Sequence, residues 1–297
     1  EPAREHYHLF ANGPTTLRRW NVRTNKAVDL ADSVHAAACT RGVGPGPNVG
    51  EVVLLTGGCT TGRWTLWRTE PLVPLADTTS VATDHFVAVL GTGRWVVVNA
   101  AEFSIVACDS GSCTAESVPA HLGSDVVRSP RRDRAALITQ RGGDPFAAGV
   151  PVVDVALGVV GYRVAALGAA RGGAFSTGGD TLYLAGDSAA ASLLVAVRAA
   201  DGALLASRRL AYHPCAVAAD QLRPWLFVAG EAFLQVFDRR TLTSLTTLRV
   251  TSDSAYGAAP CRILPNPLER RVYVVETWVG EYNPLARAHL YSFQTPP

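Results

Sequence analysis

With 297 residues, 48% of them hydrophobic and only 18% charged, the chain has ample material for a core and is not a disordered polypeptide. Its net charge of +2 gives no electrostatic case for nucleic acid or an anionic membrane, since 26 of the 27 basic residues are arginines scattered in pairs rather than gathered in one tract. No apolar run is long enough for a membrane-spanning helix, and six cysteines, an even number, point to disulfides and an oxidising compartment.

The predicted elements are short β runs that recur with a fixed period. Anchor runs start at Tyr7, Glu51, Arg94, Ala135, Thr181, Trp225 and Arg271, at steps of 44, 43, 41, 46, 44 and 46 residues. Each anchor is rich in β-branched or aromatic residues and ends in a break of Gly, Pro, Asn or Asp. Four short strands in about 45 residues are the signature of a propeller blade. The sequence therefore predicts one all-β domain over 1–297, a seven-bladed β-propeller with four-stranded antiparallel blades.

With the anchors as second strands, the third strands are Leu17–Val22, Trp64–Trp67, Phe103–Ala107, Val152–Ala156, Leu193–Val197, Phe233–Phe237 and Ala288–Phe293. Fourth strands follow at Lys26–Leu30, Pro71–Leu75, Ala115–Pro119, Val160–Ala166, Ala203–Arg209 and Thr243–Leu248. Innermost strands, where small residues fit a crowded axis, are expected at Val34–Thr40, Ser80–Asp84, Ser124–Arg128, Ala174–Thr177, Pro214–Ala218 and Ala258–Ile263. The count leaves the first blade without an innermost strand and the last without an outermost one. Three stretches read as insertions: Arg41–Gly50, Arg141–Gly149 and Thr277–Arg287.

Leu182-Tyr-Leu184, Val236-Phe-Asp238 with Thr241, Pro214-Cys-Ala-Val-Ala218 and Arg271-Val-Tyr-Val-Val275 resemble the repeat of the YVTN-type β-propeller family. The resemblance is clear over about the last 120 residues and faint before them. It implies a propeller fold and an extracytoplasmic habit, in a family of surface-layer proteins, binding modules and a minority of enzyme-associated propellers. A start at Glu1 rather than Met fits removal of a leader peptide or trimming of the chain.

No catalytic or cofactor motif rises above background, and no cofactor or metal is expected. His35, Asp84, His85, Asp125 and His213 lie on or beside expected innermost strands, where they would converge at the channel mouth and serve acid–base chemistry. Histidine at such places is more often a hydrogen-bonded structural residue. His6 and His8 alternate on one strand and lack a third ligand type nearby. Gly57-Gly58 and Gly172-Gly173 are turn glycines, since no helix follows to cradle a phosphate. Trp278, with Tyr282 and Pro284 in the last insertion, is the candidate recognition aromatic.

Cys108 and Cys113 bracket a four-residue turn and are expected to bond. Cys215 and Cys261 follow Pro214 and Pro260 at matching positions on neighbouring innermost strands, which leaves Cys39 with Cys59. Fifteen connectivities are possible, and an intermolecular bridge through Cys39 or Cys59 stays open. The leading expectation is a secreted or surface-displayed interaction module whose partners are proteins, other copies of itself among them. The alternatives are a carbohydrate-active propeller (a polysaccharide lyase or glycosidase-like enzyme acting on a glycan) and a small-ligand or metal-binding propeller.

Overall fold

Runs of valine, leucine and aromatic residues punctuated by Gly-Asp, Asp-Gly and Pro-containing breaks favour short strands closed by tight turns. The computed structural model describes residues 8–12, 17–21, 26–29, 40–45, 51–58, 61–69, 72–81, 87–91, 94–98, 102–109, 112–119, 125–131, 133–138, 149–230, 233–249, 261–266, 270–278 and 287–295. Within them every sheet is antiparallel and its strands pair in chain order. The contacts divide the chain into two units, Glu1–Ala120 with Ala156–Gly158, and His121–Val155 with Val159–Pro297.

The first unit carries three sheets among the described residues. One has three strands, β1 (His8–Asn12), β2 (Leu17–Asn21) and β3 (Lys26–Asp29). The next has four, β4 (Thr40–Pro45), β5 (Glu51–Gly58), β6 (Thr61–Thr69) and β7 (Leu72–Val81). The third comprises β8 (Val87–Gly91), β9 (Arg94–Val98), β10 (Glu102–Asp109) and β11 (Ser112–Pro119).

Of the strand expected at Val34–Thr40 only Thr40 lies among the described residues; it opens β4, and half of the supposed insertion Arg41–Gly50 is sheet. Gly42, Gly44 and Pro45 read as loop, yet β4 pairs only with β5, and an edge strand tolerates a proline on its unpaired side. One expected innermost strand in this unit is corrected: the strand expected at Ser80–Asp84 is β8. Thr78 to Val81 instead prolong β7, which follows β6 through two register shifts as far as Gly62 opposite Val81.

The second unit carries four sheets among the described residues. They are β12 (Asp125–Arg128), β13 (Arg134–Ile138), β14 (Val150–Asp154) and β15 (Val159–Val164); β16 (Ala169–Phe175), β17 (Thr181–Asp187), β18 (Ser192–Arg198) and β19 (Leu204–Arg209); β20 (Ala216–Ala219), β21 (Trp225–Gly230), β22 (Phe233–Asp238) and β23 (Ser244–Arg249); and β24 (Cys261–Asn266), β25 (Arg271–Trp278) and β26 (Arg287–Gln294). β16 starts five residues earlier than the expected innermost strand, at Ala169 rather than Ala174. The first and last sheets have three strands each in the described residues, as the strand count anticipates.

Within the second unit β16 runs beside β12 and β13, β20 beside β16, and β24 beside β20. The middle strands of the β16–β19 and β20–β23 sheets therefore have a sheet on both faces, and because side chains alternate, an uninterrupted apolar run is what such a strand requires. On β17, Leu182 and Leu184 enter a cluster with Ile138, Val152, Val195 and Val197 of the preceding and own sheets. Tyr183 and Ala185 turn the other way, to Leu226, Val228 and Phe237 of the next sheet. One sheet further on, Phe227, Trp225 and Val236 meet Ile263, Val272 and Val274.

The end of the sheets that carries the β16–β17 and β20–β21 turns is stapled by arginine. Arg239 donates from Nη1 to the Asp220 carbonyl at 3.1 Å and to Thr177 Oγ1 at 3.4 Å, while Thr177 donates to the Gln221 carbonyl at 3.2 Å. The Arg223 guanidinium lies 4.7 Å from the Trp225 ring centre and donates to Thr295 Oγ1 at 3.1 Å. Asp238, the aspartate of the family-like motif, accepts the N–H groups of Arg240 and Thr241 and so closes its own turn, with Leu242 at φ +55°.

Candidate functional site

Of the acid–base candidates, His35, Asp84 and His85 lie outside the described residues, as do Tyr282, Pro284, Cys39 and Cys59. Asp125 opens β12 half-buried and accepts the N–H of Val126 at 2.8 Å. Trp278 is the last residue of β25, paired with Arg287, so the sheet reaches further into the third supposed insertion than its composition suggests. Cys108 and Cys113 are register partners across β10 and β11, and Cys261 opens β24.

His213 does join a polar cluster, with partners that the sequence reading had not named. The connection from β19 to β20 passes the end of β17 and the start of β18, where Asp187 and Ser192 are themselves register partners. Arg171, on β16, donates from Nε to Asp187 Oδ2 at 2.6 Å. Ser192 donates its hydroxyl proton to Asp187 Oδ1 at 2.8 Å. His213 Nδ1 lies 3.2 Å from Ser192 Oγ and 3.3 Å from Asp187 Oδ1.

Asp187 can only accept, so Arg171 and Ser192 donate to it, and the role of His213 Nδ1 follows from the tautomer. Serine and carboxylate meet the same ring nitrogen, and the cluster ties the β19–β20 connection to the corner of the sheet.

Burial would raise the Asp187 carboxyl, but hydrogen bonds from Ser192 and Arg171, the Arg171 charge and the His213 contact outweigh it and hold it below the ordinary carboxylate range. A depressed native pKa stabilises the fold above the unfolded value of about 3.9, and the contribution is lost as pH falls through the lower native value. Asp187→Asn is therefore expected to cost about 1.5 kcal/mol at neutral pH. Urea titrations from neutral to acid pH should show the gap between the two proteins closing below pH about 4.

The same connection is pinned from its other side. Leu210 donates to the Ser192 carbonyl at 2.9 Å and Cys215 to the Ala229 carbonyl at 2.7 Å. Tyr212, whose phenol is driven up by burial, donates to the Val228 carbonyl at 3.2 Å. A Cβ on Gly230 would collide with the His213 carbonyl, so the chain reaches its place only because that position is glycine. The sequence signal for Asp187 was its place after Gly186 at the end of a middle strand, a break that reads as a turn until the neighbouring connection is folded over it. Among the described residues no three His, Cys, Asp or Glu side chains gather as a metal site.

No family model and no curated protein matches the sequence. Solved structures do match in shape. Hsv2 of Kluyveromyces lactis superposes with a TM-score of 0.61 at 11% identity, over 98% of this chain and 97% of that one. The β-propeller domain of Cps50 (Swd1) from Myceliophteria thermophila gives 0.63 at 8% identity, over 98% of both chains. The fold is a β-propeller. A chain of a mitotic checkpoint complex gives 0.63 at 10% identity, over 91% of this chain and 81% of that chain. At these identities the likeness carries the propeller fold and nothing of the neighbours' activities.

Proposed function

We propose that this chain is a single seven-bladed propeller over 1–297, of the YVTN type and located outside the cytoplasm, that works as a protein-interaction module. The observation that carries the reading is apolar exposure on the outermost strands. Leu204 and Leu205 of β19 are 55% and 51% exposed, with Leu245 of β23 at 49% and Val159 of β15 at 41%. Large apolar side chains left in water at corresponding places of consecutive sheets suit a surface that a partner covers. One neighbour, named for a checkpoint complex, also works within an assembly.

The test is crosslinking mass spectrometry on the tagged full chain in its source cells, beside a Leu204→Ser, Leu205→Ser, Leu245→Ser variant. Proteins crosslinked to the wild type and lost from the variant support the reading. Identical crosslinks from both would overturn it.

Self-assembly is the second reading, favoured by the three-stranded last sheet, in which β26 has no further strand on its outer side among the described residues. Such an edge accepts a strand from another copy, and a patch that meets a different patch builds a fibre rather than a closed dimer. Sedimentation and electron microscopy at high concentration should then show filaments, and monodisperse monomers would reject it.

An oxidising location requires bonded cysteines. Supporting this are the opposed positions of Cys108 and Cys113 and the state of Cys215, whose sulfur is engaged in a disulfide. Cys108–Cys113 is the pair that this reading requires. Mass spectrometry of a non-reduced digest is expected to recover this pair as one loop-linked peptide, and a free thiol at either position would contradict it.

A further inference from the structure

The outer strands of three consecutive sheets carry apolar residues toward their starts and arginine toward their ends: Val159 and Arg163 on β15, Leu204-Leu205 and Arg208-Arg209 on β19, and Leu245 and Arg249 on β23. None of the three contains an aspartate or glutamate. Asp201, in the turn before β19, is paired with Arg198 at 2.9 Å.

On β19 the backbone is ready for a further strand. The Leu210 N–H donates to the Ser192 carbonyl, which makes 192 and 210 a hydrogen-bonded pair. In an antiparallel ladder such pairs alternate, so the register of Leu194 opposite Arg208 and Leu193 opposite Arg209 turns the N–H and C=O of Ser207 and Arg209 away from β18. Among the described residues the sheet order places no strand on that side. All four of Leu204, Leu205, Arg208 and Arg209 are exposed.

We infer that the outer edge of β19 is a docking strand for an extended peptide of another protein, one that is acidic in the half beside Arg208 and Arg209 and apolar in the half beside Leu204 and Leu205. The inference rests on the interaction-module reading and names its site. The peptide adds as a fifth strand. Its backbone bonds Ser207 and Arg209, its apolar side chains cover Leu204 and Leu205, and its carboxylates meet Arg208 and Arg209. A second copy is the poorer occupant, because two β19 edges bring four arginines together without a carboxylate on either strand. Arginines also guard exposed edges against indiscriminate pairing, which selects for an acidic strand over a neutral one.

The test uses the full chain and a fluorescein-labelled decapeptide of five aspartates followed by five valines, the order for antiparallel addition, read by fluorescence anisotropy. A second decapeptide has lysine in place of aspartate. Ser207→Pro removes one outward N–H without touching a β18 bond, and the double change Arg208→Glu, Arg209→Glu reverses the charge. Each is expected to weaken binding of the acidic peptide at least about tenfold with the unfolding midpoint unchanged, and the lysine peptide should bind at least about tenfold more weakly than the acidic one. If the proline variant fails to fold, the double arginine variant decides alone.

No saturable binding by the wild type, equal binding by wild type and variants, or equal binding of the two peptides would overturn the inference. So would a wild-type oligomer dispersed by either variant, which would put a second copy on the edge. In any of these cases partner crosslinks that persist but map elsewhere leave the interaction-module reading standing.

Discussion

Phe227→Ala is expected to lower the stability of the second unit by about 3–5 kcal/mol, the range for truncating a large aromatic in a packed core. Phe227 has no exposure, and its ring sits in the cluster that joins β20–β23 to Ile263, Val272 and Val274 of the last sheet. The cavity would open between two sheets, where each is held by its own hydrogen bonds and has little freedom to close in. Chemical denaturation should show the loss as a lower midpoint at an unchanged slope. A midpoint within experimental error of the wild type would mean that β21 faces the other way.

Gly172→Val is expected to cost about 3 kcal/mol, the upper end of the range for overpacking, through backbone and not through a lost contact. A Cβ at Gly172 would stand 2.7 Å from Ala216 Cα and 2.7 Å from the Val217 nitrogen, so β16 and β20 would have to separate where two innermost strands run closest. The three nearest atoms are all main chain of β20, so no side chain can swing away. Gly161 is the control, since a Cβ there meets nothing nearer than 3.5 Å and Gly161→Ala should leave thermal unfolding unchanged. Equal behaviour of the two variants would remove the argument from close approach.

The middle and third strands were legible because burial on both faces writes itself into sequence. Trp225-Leu-Phe-Val-Ala229 and Thr181-Leu-Tyr-Leu-Ala185 contain no charged residue, and each was found within a residue or two of its observed bounds. Innermost strands were harder. Their small residues, and in β4 two glycines and a proline, have the composition of turns, and only pairing with β5 identifies them as strand. The site divides in the same way. That His213 sits beside an innermost strand could be read from the pattern, but its contact with Asp187 joins residues from different sheets.

Period, strand order and the antiparallel pairing of neighbours were therefore determined by the sequence itself, because they depend on local alternation and on turns that a few residues encode. Tertiary structure alone decided which short small-residue stretch lies innermost, why Gly172 and Gly230 tolerate no side chain, and that His213 meets Ser192 and Asp187. These depend on what a neighbouring sheet brings within a few ångströms, and a residue's own sequence neighbours hold no record of that distance.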